Sequence, residues 1–156
     1  VAQQTANWEK TEAFDKTEAI LQANPDLDGI ICGNDTMLEG AVAACEAAGK
    51  NIPIIGVDGS DEAAALIKDG KATGTALQQF ALMAEMAVEQ ADAYLKDGTT
   101  GLDEKQLVDC IAITADNVDN LKTFVYTEGG AEAAEDTAEA ETEDAGAEET
   151  TEEAAE

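Results

Sequence analysis

The chain is 156 residues long, enough for about one domain, and sets 35 acidic residues against 8 basic ones, a formal net charge of −27. Such a charge weighs against binding to a nucleic-acid backbone or an anionic membrane. There is no histidine and no arginine, since all eight basic residues are lysine. The commonest general base and transition-metal ligand is therefore missing, as is the bidentate grip on a carboxylate or phosphate.

The elements can be taken in chain order. Val1 opens the chain in what reads as the end of a strand, as expected of a sequence that starts partway through a domain. From Trp8 to Ala23 the spacing of Ala13, Phe14, Thr17, Ile20 and Leu21 predicts a helix with one apolar face. Asn24-Pro25 stops it, because the residue before proline avoids the α region. Gly29 to Gly33 is a short apolar run, the pattern of a strand buried on both faces. A second helix is predicted from Thr36 to Ala48, capped by Asn34 or Asp35 and stopped by Gly49. Ile52 to Val57 reads as the second strand. Asp61 to Lys68 reads as a short helix capped by Ser60 or Asp61, and Thr73 to Leu77 as the third strand. A long helix follows from Phe80 to Lys96, with Phe80, Met83, Ala84, Ala87, Ala91 and Tyr94 on one side, and Leu107 to Ile113 reads as a fourth strand. Asn117 to Tyr126 gives no firm pattern. Strands alternating with helices predict an α/β fold with a mostly parallel sheet flanked by helices.

From Thr127 to Glu156 there are 13 acidic residues, no lysine, and no aromatic, Ile, Leu or Val. Nothing there can drive burial, so a disordered acidic tail is expected. The body before it carries 22 acidic and 8 basic residues, or −14. Cys32, Cys45 and Cys110 are odd in number and lack Cys-x-x-Cys spacing, which reads as buried small hydrophobes rather than a metal site or disulfide framework. No run approaches the ~18 apolar residues of a membrane helix.

Three apolar runs end in polar residues at Asn34-Asp35, Asp58 and Gln78. In a parallel α/β sheet ligands bind just beyond the carboxyl ends of strands. An amide, a carboxylate and a second amide would then share one crevice edge, a site for a small, polar, uncharged molecule. One of Asn34 and Asp35 is expected to cap the helix, leaving the other side chain free. Asp58 is not needed as a cap, since Ser60 and Asp61 supply one. Gln78 is a poor capping type. Trp8, the only tryptophan, is either a packing aromatic or a flat platform for a ligand face. Without histidine there is no Ser-His or Cys-His pair, and Gly56-Val57-Asp58-Gly59 lacks the spacing of a phosphate loop.

The strings Ala6-Asn7-Trp8-Glu9-Lys10-Thr11, Asn24-Pro25-Asp26-Leu27-Asp28-Gly29-Ile30, Asn34-Asp35-Thr36-Met37, Gly56-Val57-Asp58-Gly59 and Gly74-Thr75-Ala76-Leu77-Gln78, in this order, resemble the C-terminal part of the type I periplasmic sugar-binding proteins of the ribose and galactose group. The resemblance covers about residues 1 to 118. It implies two α/β lobes joined by three crossovers, with sugar held between them. Residues 1 to 126 would form the C-terminal lobe, with about 79 to 107 crossing to the other. It also implies that Trp8 stacks on the sugar ring while Asn34, Asp58 and Gln78 bond its hydroxyls. An arginine common in such sites has no counterpart here, and Val57 stands where the ribose type often has an aromatic, so the resemblance does not name the sugar.

The expectation is a non-enzymatic receptor for a monosaccharide or polyol, working outside the cytoplasm, in the periplasm or as a membrane-anchored lipoprotein. An ABC permease would be its partner, without cofactor, metal or nucleic acid. The alternative is the effector domain of a lactose-repressor-type regulator, which shares the fold. The absence of proline from Gly70 to Gln79 favours the receptor.

Overall fold

The computed structural model describes residues 1–128, so the expected disorder of the acidic tail lies, beyond Glu128, outside the described residues. No strand forms before the first helix, although Val1 reads as a strand end in the sequence. Helix α1 spans Lys10–Ala23. It begins two residues later than the apolar spacing predicts because Asn7 and Trp8 hold φ of 48° and 66°, outside the helical region. Its buried face is Ala13, Thr17 and Leu21, as the spacing indicates, and it packs on α2 (Asp35–Ala47). Helix α3 (Asp61–Lys68) is capped by Ser60, whose Oγ accepts from the Ala63 N–H at 3.0 Å.

Strands β1 (Ile30–Ile31), β2 (Ile54–Asp58) and β3 (Gly74–Leu77) are parallel neighbours in that order. β4 (Ile111–Thr114) joins the free edge of β3 antiparallel, pairing Leu77 with Ile111. The fold is therefore α/β with a mostly parallel sheet. The predicted start of β4 at Leu107 is corrected to Ile111, since the chain reaches the sheet only there.

One face of the sheet, with Ile54, Thr75, Leu77 and Ile113, is buried under α2 and α3 among Leu38, Val42 and Ile67. The other face is uncovered. Ile31 is 83% exposed, and its register partner Ile55 is also exposed. The apolar run of β1 thus does not mean burial on both faces in this chain, because no described element packs over that side.

Helix α4 (Phe80–Asp97) has no buried residue and stands away from the body, ended by Gly98. No helix among the described residues is long and apolar enough to cross a membrane. The stretch the sequence left unassigned forms a 3-10 turn at Val118–Asn120 and a small hairpin, β5 (Leu121–Lys122) with β6 (Val125–Tyr126). Thr123 and Phe124 take positive φ at its two-residue turn. The Phe124 ring meets Phe80 at the base of α4 edge-on, with centroids 5.7 Å apart. Of the cysteines, Cys32 and Cys45 are buried as expected, but Cys110 is exposed, because it lies on the segment returning from α4.

Candidate functional site at the carboxyl edge of the sheet

Because β1, β2 and β3 run in parallel, their carboxyl ends open on one edge. Asn34 follows β1, Asp58 ends β2, and Gln78 follows β3, so the three lie in strand order along that edge. Trp8 joins them from the start of the chain. Its ring lies over Gly33, with Cζ3 3.3 Å from where a β-carbon on that glycine would be. The left-handed backbone at Asn7 and Trp8 turns the indole outward, and the residue stays 66% exposed. A flat apolar surface thus stands beside the half-buried Asn34 amide.

Asn34 is the cap of α2: it is extended, with φ −152°, and its Oδ1 accepts from the Met37 N–H at 2.9 Å. Its Nδ2 makes no hydrogen bond among the described residues. Asp58 and Gln78 are joined. Gln78 Nε2 donates to Asp58 Oδ1 at 2.8 Å, and the Gln78 N–H donates to the Asp58 carbonyl at 3.2 Å. The main-chain bond continues the strand pairing one step past β3. The side-chain bond fixes both groups while Asp58 Oδ2 has no donor among the described residues. The edge thus offers a donor at Asn34 and an acceptor at Asp58, a combination suited to hydroxyl groups.

The sequence left one side chain of Asn34-Asp35 free of structural duty, and here the structure corrects it. Asp35 is the first residue of α2 and only 2% exposed. Its Oδ2 accepts from the Gly59 and Ser60 N–H groups at 2.9 and 2.8 Å, and its Oδ1 accepts from Thr75 Oγ1 at 2.7 Å. Burial pushes its pKa above the usual 3.8, while the donors Ser60, Thr75 and Gly59 pull the other way without reversing the shift. Only the aspartate's place at a helix start was visible in the sequence; its partners come from the turn after β2 and from within β3.

Near Gln78 and Gln79 the edge continues into a cleft walled by Met83 and Met86 of α4 and by Leu107 and Val108. Gln79 Nε2 donates to the Asp109 carbonyl at 2.7 Å, tying the outgoing chain to the returning one. Among the described residues no group of three His, Cys, Asp or Glu is placed to hold a metal.

Residues 1–100 match the family described as "Periplasmic binding protein domain". The D-apiose import binding protein of Actinobacillus succinogenes is 50% identical over 126 residues, covering 80% of this chain and 41% of the relative. The ribose import binding protein of Bacillus subtilis is 39% identical, over 61% of this chain and 31% of the relative. Among solved structures, an ABC transporter periplasmic solute-binding protein from A. succinogenes with bound D-allose matches with a TM-score of 0.72 at 34% identity, over 77% of this chain and 43% of that one. The chain spans about two fifths of the length of the D-apiose import binding proteins it matches. These relatives are binding proteins, neither enzymes nor the transcription regulators that the fold also allowed. The α/β sheet, the polar carboxyl edge and these matches lead to one assignment: the chain belongs to the periplasmic binding protein family.

Proposed function

We propose that this chain forms one wall of the sugar-binding cleft of a solute receptor that serves an ABC-type importer outside the cytoplasm. The observation that carries this reading is the alignment of Trp8, Asn34, Asp58 and Gln78 along a single strand edge, with Asp58 already held by Gln78 at 2.8 Å. The indole would take an apolar ring face, Asn34 Nδ2 would donate to a hydroxyl, and Asp58 Oδ2 would accept from one or two. No group on this edge is set up to break a bond, so the ligand would leave unchanged. Identity to a D-apiose import binding protein makes D-apiose the first ligand to test, ahead of ribose, allose and inositols.

Residues 79 to 107 fit the role of a crossing to a second lobe. Helix α4 leaves the body with no residue buried, and Gln79 at its start is bonded to Asp109 on the returning segment. Closure of two lobes on the ligand would give the form that a permease recognises. The test is calorimetric titration of a receptor of the relatives' full length that contains this chain. Asp58→Ala should weaken binding of the cognate sugar by roughly 2–5 kcal/mol, the loss seen when one partner of a buried charge-assisted pair is truncated. Unchanged affinity would reject the edge as the ligand site.

A further inference from the structure

We infer that Asp35 is a positioning residue for this edge: its buried carboxylate locks the backbone turn that aims Asp58 at the ligand. The inference rests on the proposed function, in that Asp58 is the group meeting the sugar.

Asp58 holds φ at 122°, a backbone region that residues with a side chain rarely adopt. Such strain persists only where the surroundings over-determine it. The two residues that follow supply the means. The N–H groups of Gly59 and Ser60 both point at Asp35 Oδ2, and the Gly59 N–H also lies 3.2 Å from Thr75 Oγ1. Thr75 in turn donates to Asp35 Oδ1. One carboxylate therefore joins the start of α2, the turn after β2 and the middle of β3, the elements that carry Asn34, Asp58 and Gln78. Bonds to an ionised acceptor are stronger than neutral ones, and in this dry setting they resist exchange with water. Space reinforces the arrangement: a β-carbon at Gly56 would collide with Asp35 Oδ1, and one at Gly59 would press on Leu77 at 2.5 Å from its Cδ1. The turn thus has no room to relax. Asp35 itself is too deeply buried to touch a ligand, so any effect on binding passes through Asp58.

The test uses the same full-length receptor and titration. Asp35→Ala should weaken sugar binding about tenfold or more, a change of ~1.4 kcal/mol. The NMR amide proton signals of Gly59 and Ser60 should lose their downfield shifts and their protection from exchange. Asp35→Asn should recover much of the affinity, because its amide oxygen can still accept both N–H groups while its NH2 donates to Thr75. Thr75→Val, which removes one strut and keeps the shape, should act in the same direction with smaller effect should Asp35→Ala fail to fold. Ile67→Val, buried in α3, serves as the control for stability alone and should leave affinity unchanged. The inference is overturned if Asp35→Ala, or Thr75→Val in its place, binds no worse than Ile67→Val while Asp58→Ala loses binding. If Asp58→Ala itself binds normally, the proposed site falls first and this role with it.

Discussion

Cys32, just after β1, keeps only 8% of its surface exposed. Burial, reinforced by nearby Cys45 and Asp35, pushes its thiol from 9.0 up to about 11. An acid with a raised folded pKa holds its proton more firmly when folded. The stability tied to that proton is full below the unfolded value of 9.0 and is lost as pH climbs through about 11. Across that window the wild type should lose about 1.4 kcal/mol per pH unit relative to Cys32→Ala. Urea unfolding of the two proteins would measure it, and parallel pH curves would refute it. Burial at this cysteine was legible from its apolar neighbours, whereas exposure at Cys110 depends on where the chain goes after α4. Asn34 and Asp35 divide in the same way. A cap is a local device, and its chemistry could be read from neighbouring residues. The duty of Asp35 was hidden because its partners are 24, 25 and 40 positions away.

At the level of elements, two glycines with the same handedness separate conformation from packing. Gly70, past the end of α3, has φ 70° and nothing within 4 Å of a would-be β-carbon. Gly59, between β2 and α3, has φ 84°, but its β-carbon would lie 2.5 Å from Leu77 Cδ1 and 3.0 Å from its Cα. Gly70→Ala should therefore cost about 1 kcal/mol of stability, the backbone penalty alone. Gly59→Ala should cost that plus an overpacking cost of about 1–3 kcal/mol. Equal midpoints in urea would show that the crowding at Leu77 relaxes freely. Helix ends of this kind were readable because a glycine stop and a serine cap act within a few residues. The face of β1 was not: Ile30-Ile31 carries the composition of a fully buried strand, and only the arrangement of other elements decides that Ile31 meets solvent.

On the scale of the molecule, charge and apolar surface oppose each other. Ile31 and Ile55 lie open on the uncovered sheet face, and Leu82, Val88 and Leu95 are exposed on α4. Patches of this kind favour association, while a net charge of −27 keeps copies apart. Salt screens the repulsion and leaves the apolar attraction in place. The 156-residue chain by itself should thus sediment as larger species as sodium chloride rises, and bind sugars at millimolar strength or worse with one wall of the cleft. A monomer at every salt concentration, or tight sugar binding by it, would refute this.

The junction between the sheet and α4 has a mechanical consequence. The chain leaves the sheet at Leu77 and re-enters at its paired residue Ile111, with Gln79 bonded to Asp109 just outside. Two passages clamped side by side make a flat ribbon. A ribbon flexes easily through its thin dimension and resists shear within its plane, so under the proposed lobe closure α4 would swing about one axis lying across both passages. Gln78 sits between the last paired residue and the clamp, almost on that axis. It would barely move while whatever α4 carries travels through an arc, and its grip on Asp58 would stay closed through the stroke.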